Sequence, residues 1–355
     1  MKQKHNIPAN LLISVIILLT VSGCNSWKHK NNMFDKTLLP VSQDVPLLIE
    51  NNDGITHESS YLNINDKQYI LFSFDSDSKQ NHTEIRYGEI LNIDPLVVSE
   101  VQPVLPKNNF KKRYLSSVVE TDNGSWVYFV EGDSLKDVAR SYRAQWNKGT
   151  LINIEELNIE KKIRVRHWQK YYSFNNRVVM IYAGGDGIFF TTSRDGKTFK
   201  NFIKTGERAA QPNFNHVNER VLAYSFQRGD WEKGKMKSMF SISEDAGQTW
   251  QQPIQTTLSH ENVHDAFLFK REDKLLDIYY IYPIGSWRGF SLFRRCIRKD
   301  FSLGDEEQVI VKEMGNVIAP TLHRLENNQI VLTFNEQLSG YTPYITILNG
   351  DSACE

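Results

Sequence analysis

A polar three-residue turn followed by an alternating apolar run recurs six times along the chain. The turns and runs are Asn65-Asp66-Lys67 before Tyr69-Ile70-Leu71-Phe72, Asp122-Asn123-Gly124 before Trp126-Val127-Tyr128-Phe129, and Asn175-Asn176-Arg177 before Val178-Val179-Met180-Ile181. They continue with Asn218-Glu219-Arg220 before Val221-Leu222-Ala223-Tyr224, Glu272-Asp273-Lys274 before Leu275-Leu276-Asp277-Ile278, and Glu326-Asn327-Asn328 before Ile330-Val331-Leu332. Measured at the middle turn residue, the intervals are 57, 53, 43, 54 and 54. Another short alternating run precedes each turn, as at residues 114–120, 266–270 and 321–325, so the repeated unit is a hairpin. Residues 155–161 are the best helical candidate, but their apolar positions do not continue at helical spacing and read as a blade edge or linker. A repeat of this period is the signature of propellers and solenoids, and the hairpin unit together with the motifs below favours the propeller. The expected fold is all-β, a six-bladed β-propeller of four-stranded antiparallel blades. Its blades fall at residues 55–105, 113–155, 166–206, 211–257, 264–312 and 317–350. The last holds only three strands, so residues 45–50 are expected to supply its fourth and leave no open edge.

Two further hairpins carry a sharper pattern. Ser243-Glu244-Asp245-Ala246-Gly247-Gln248-Thr249-Trp250 places a Ser and an Asp to bond turn backbone, a Gly for positive φ and an aromatic for the interior. Ser193-Arg194-Asp195-Gly196-Lys197-Thr198-Phe199 is one residue shorter, ends in Phe, and begins 50 residues earlier. Both resemble the Asp-box, the Ser-x-Asp-x-Gly-x-Thr-Trp repeat of sialidase-like propellers. The resemblance implies that Ser193, Asp195, Gly196, Phe199, Ser243, Asp245, Gly247 and Trp250 are structural, on the face away from the functional one.

The N-terminus changes the compartment. Lys2, Lys4 and His5 precede the uncharged apolar residues 11–21, too short to span a bilayer and ordered like a secretory signal. Val21-Ser22-Gly23-Cys24 resembles the bacterial lipobox. That implies a signal peptide over residues 1–23, lipidation of Cys24, a polar tether over 24–44, and a propeller over 45–355. Acyl chains would hold the protein to a membrane. Asn25, where an Asp would resemble an inner-membrane retention signal, points to the outer membrane of a Gram-negative envelope. Without residues 1–23 the chain has 40 basic and 42 acidic side chains, a balance that excludes a nucleic-acid footprint. Cys296 and Cys354 remain, either disulfide-bonded or as two thiols.

Chemistry is expected on the rim formed by loops entering the first strand and loops joining the second and third strands of each blade. The first set offers Lys112-Arg113-Tyr114, Arg166-His167-Trp168, Gln211-Pro212-Asn213 and His264-Asp265; the second offers Glu131-Gly132-Asp133, Arg228-Gly229-Asp230-Trp231, Gly285-Ser286-Trp287-Arg288 and Glu336-Gln337. Arg113, Arg228, Asp230, Trp231, His264, Asp265, Trp287 and Arg288 are the binding candidates, because Trp and Arg anchor recognition surfaces. The first reading is an envelope protein that binds a protein partner, such as a toxin or secreted enzyme, or a glycan. The second is a sialidase-type glycosidase. Against it, the Arg-Ile-Pro motif of that family is absent and no arginine precedes Arg86. Gly184-Gly185-Asp186-Gly187 joins two strands and opens no helix, so no nucleotide site is expected. His260 and His264 lack a third ligand nearby, so neither metal nor cofactor is expected.

Overall fold

The computed structural model describes residues 45–47, 54–75, 82–106, 112–122, 124–230, 233–257, 260, 262–283, 290–310, 316–337, 341–348 and 354. The signal, Cys24 and the tether lie outside them, as do Trp231, Trp287 and Arg288.

The strands run in chain order as β1 (Val45–Pro46), β2 (Ile55–Ile64), β3 (Lys67–Asp75), β4 (Thr83–Ile93), β5 (Leu96–Val98), β6 (Gln102–Pro103), β7 (Lys112–Thr121), β8 (Gly124–Gly132), β9 (Arg140–Asn147), β10 (Thr150–Glu156) and β11 (Asn158–Ile159). After a 3₁₀ turn at Val165–His167 come β12 (Lys170–Phe174), β13 (Arg177–Gly184), β14 (Gly187–Ser193), β15 (Thr198–Phe199) and β16 (Ile203–Gly206). Then follow β17 (Ala210–His216), β18 (Leu222–Asp230), β19 (Lys235–Ser243) and β20 (Ile254–Gln255), and β21 (His264–Lys270), β22 (Leu276–Pro283), β23 (Phe290–Ile297) and β24 (Glu307–Ile310). The chain ends on β25 (Asn316–Arg324), β26 (Ile330–Gln337) and β27 (Tyr341–Leu348).

Antiparallel pairing joins these strands as meanders. β2, β3 and β4 carry β5 and β6 on their outer edge, and β7 to β10, β12-β13-β14-β16, β17 to β20 and β21 to β24 form the next four groups. The sixth group is β25-β26-β27 with β1 on its edge, Val45 opposite Ile345 and Pro46 opposite Tyr344. Leu47 continues the pairing, its N–H donating to Pro343 O at 2.9 Å. The first strand of each group touches that of the next, β2 to β7, β12, β17, β21 and β25, and β25 touches β2 again, so the groups stand around an axis as propeller blades.

The core follows from that ring. Each middle strand is covered on both faces, as the buried run through Tyr69–Asp75 in β3 shows, so apolar residues continue where a two-faced sheet would alternate. One apolar cluster lies between each neighbouring pair of blades. Between the first and second, Leu71 and Ile85 meet Leu115, Phe129 and Trp146. Between the sixth and first, Leu47, Phe72 and Phe74 meet Leu325, Val331 and Ile345.

The two Ser-x-Asp turns follow the third strands of blades three and four. Asp195 accepts from Ser193 Oγ at 2.6 Å, from the amides of Lys197 and Thr198 at 2.8 Å, and from Thr198 Oγ1 at 2.9 Å. Asp245 is held likewise by Ser243 Oγ at 2.8 Å and by the amide and hydroxyl of Thr249 at 2.8 and 2.6 Å. Gly196 and Gly247 take φ of 63° and 88°, conformations that favour glycine. Phe199 is fully buried and Trp250 packs edge-on to Tyr224 at 4.6 Å. Cys296 and Cys354, whose pairing the sequence leaves open, are disulfide-bonded with Cα atoms 5.6 Å apart.

Candidate functional site

The first strands do more than close the ring. Each register shift in β2, β7, β17, β21 and β25 inserts one extra residue against the neighbouring second strand, at 58–59, 116, 211–212, 265–266 and 319–320. In four of the five the first inserted residue is left-handed without being glycine: Glu58 at φ 51°, Gln211 at 49°, Asp265 at 47° and Ala319 at 49°. Trp168, just before β12, takes φ 35° in the corresponding place. Such a conformation costs roughly 1–3 kcal/mol per residue and persists where surrounding structure imposes it. A bulge also breaks the in–out alternation and re-aims side chains. Here the ring of bulges surrounds one cavity of about 340 Å³ on the axis, lined by residues from all six blades.

Its wall from blades one to three is charged and hydrogen-bonding. Glu58 faces Lys170 at 3.7 Å, both side chains largely buried. Burial pushes the Lys170 ammonium below its ordinary pKa, and the Glu58 charge opposes that shift. His57 Nε2 lies 3.1 Å from Asp75 Oδ2, and Thr83 Oγ1 donates to the other oxygen of the same fully buried carboxylate. Tyr114 stands beside them; burial and then the Asp75 charge raise its phenol well above the usual value. Gln169 is almost completely buried, and its Oε1 accepts from Ser141 Oγ at 2.9 Å and Tyr171 Oη at 2.6 Å.

The opposite wall is neutral or acidic. Asp265 accepts from Gln227 Nε2 at 3.3 Å with one oxygen and from the Ala319 amide at 3.1 Å with the other. Gln211 also meets Gln227, while Pro212, Asn213 and Phe267 complete this side. At the mouth Trp168 leaves 37% of its surface in solvent, next to the exposed Arg166. An exposed indole above the cavity can stack on the apolar face of a sugar ring or cover another flat ligand.

Of the rim residues named from sequence, the structure brings Tyr114, Arg166, Trp168, Gln211, Pro212, Asn213 and Asp265 into this cavity, whereas among the eight binding candidates Asp265 alone of those described lines it. Arg113 is buried, donating through Nε to Glu131 at 2.7 Å and through Nη1 to Pro106 O at 3.2 Å. Arg228 is exposed on β18 opposite Lys237, and Asp230 pairs with Lys233 at 3.0 Å. His264 is buried against Phe290, 2.6 Å from Asn262 Oδ1. Glu58, His57 and Lys170 were not singled out, although the repeat marks one of them. Eight residues back from each middle turn residue are Glu58, Leu115, Trp168, Gln211, Asp265 and Ala319, which are the bulge positions or their immediate neighbours.

The geometry has counterparts among solved structures. A protein of unknown function from Dyadobacter fermentans superposes with a TM-score of 0.69 at 12% identity, over 88% of this chain and 99% of that one. The NanB sialidase of Streptococcus pneumoniae gives 0.61 at 11%, over 88% and 71%. The fold is that of the sialidase-like propellers. An α-L-arabinofuranosidase from Fusarium graminearum shares it, with a TM-score of 0.59 at 10% identity over 86% of this chain and 96% of that one. No family model and no curated protein matches the chain. At such identities the sialidase-like likeness is one of fold, and function must be argued from the site.

Proposed function

We propose that this protein is a glycan-recognition propeller of the cell envelope, anchored by lipid at Cys24 and binding sugar at the central mouth. The observation that supports it most is the ring of bulges, which costs backbone strain in order to turn Glu58, Gln211 and Asp265 toward one cavity below Trp168. A volume of about 340 Å³ is at the lower end for a small-molecule site and suits one or two sugar units. Carboxylates, amides and the Lys170, Arg166 and Tyr114 donors are set round the wall, which matches the hydroxyls of a sugar, with an indole for its apolar face. Sialidases and an arabinofuranosidase among the structural neighbours favour the same ligand class. The Asp-box reading of the turns at Asp195 and Asp245 belongs to this proposal as scaffold.

The test is calorimetric titration of the full chain against a panel of oligosaccharides, with envelope fractionation alongside. Trp168→Ala should weaken the best ligand at least ten-fold, about 1.4 kcal/mol, Arg228→Ala should leave it unchanged, and Cys24→Ser should release the protein from membranes. Unchanged affinity in Trp168→Ala and Asp265→Asn would remove the central mouth as the site.

A further inference from the structure

We propose that His57 and Tyr114 form an acid–base pair that cleaves 4-linked uronate glycans by β-elimination, an activity that rests on the glycan recognition proposed above. The two side chains converge on one buried carboxylate. His57 Nε2 is 3.1 Å from Asp75 Oδ2, which leaves Nδ1 as the nitrogen available to a ligand. Asp75 is fully buried, so it can orient the ring without competing for substrate. Thr83 bonds the same carboxylate and faces Tyr114. The Tyr114 hydroxyl, on the same cavity wall as His57, is a donor suited to a leaving alkoxide.

The engaged cavity carboxylates argue against hydrolysis of the two-carboxyl type. A glycosidase of the two-carboxyl type needs one of them protonated and ready to donate. Glu58 instead faces the Lys170 ammonium, and both oxygens of Asp265 accept hydrogen bonds. Elimination has a different requirement, that the uronate carboxylate be neutralised so the adjacent C–H becomes acidic. Arg166 at the mouth and the buried Gln169 amide, whose Nε2 has no hydrogen-bond partner, are placed on the cavity wall for that.

The step balances without water. His57 Nδ1 takes the proton from C5, that electron pair forms the C4=C5 double bond, the C4–O bond breaks, and the departing oxygen takes the Tyr114 proton. Solvent then returns a proton to Tyr114 and removes one from His57. One chain gives two, one of them beginning with an unsaturated uronate.

The full chain is incubated with polygalacturonate, alginate and hyaluronate, and ultraviolet absorbance of unsaturated uronate is followed together with new reducing ends. Both should rise in equal amounts on at least one polymer. His57→Ala and Tyr114→Phe should each slow the reaction by about 100-fold or more, while the glycan dissociation constant moves by less than about three-fold. Reducing ends without absorbance, or bound uronate with neither signal, overturns elimination and leaves glycan recognition standing. If the three polymers neither bind nor react, elimination is overturned; if the oligosaccharide panel is also silent, recognition at this mouth falls with it.

Discussion

His216 and His323 show how residue burial becomes a property of the whole chain. Burial, with Lys270 near the first and Lys170 near the second, pushes both imidazoles down to about 4 from an ordinary 6.5. A native pKa depressed in this way means the unfolded chain takes up protons first as the solution is acidified. The stability they contribute is complete above about pH 6.5, declines from there, and is exhausted near pH 4. Asp245 acts in a lower window. The hydroxyl and amide of Thr249, then the Ser243 hydroxyl, hold its carboxyl down to about 2, so its contribution is present above the ordinary 3.8 and lost toward 2. Urea midpoints measured from pH 7 to 2.5 should therefore fall in two stages, with His323→Gln flattening the first and Asp245→Asn the second. A single fall confined below pH 4 would contradict the histidine assignment.

At the scale of elements, what was legible in the sequence was whatever repeats in the backbone. The six turns, the two Ser-x-Asp motifs and the missing strand of the last blade all reflect local chemistry that cannot be placed elsewhere. The Ser-x-Asp turn of blade three is also clamped from outside, because Tyr128 Oη donates to Gly196 O at 2.8 Å and Arg143 Nη1 donates to Asp195 O. No spacing reveals that contact, 68 residues apart in the chain. The site was harder to read for a related reason. Arg113 looks available in sequence but is used by Glu131, and Glu58 looks like an ordinary strand residue until the bulge turns it inward. The bond between Cys296 on β23 and Cys354 spans 58 residues, and the chain-entropy model assigns such a loop about 4 kcal/mol. Cys354→Ser should accordingly lower the melting temperature by several degrees, and dithiothreitol should have no further effect on the variant.

The whole molecule depends on its last contact. The cluster between the sixth and first blades draws Leu47 together with residues on both sides of the seam. Every other junction lies between blades consecutive in sequence; this one joins the two ends of the fold. Deleting residues 45–47 should leave far-ultraviolet circular dichroism nearly unchanged while lowering the denaturation midpoint and raising proteolysis within blade six. If the midpoint does not move, β1 is ornamental and the ring is held by side chains alone.

Val45 and Ile345 are partners 300 residues apart. Closing a loop of that length costs about 5 kcal/mol beyond a constant term, and the cost is met only once the final strand is available. A chain that emerges end-first therefore carries its earliest strand as an unmatched half until everything else has arrived. The order of synthesis and the order of completion run in opposite directions, so the first residues of the propeller are the last to learn whether the rest was made correctly.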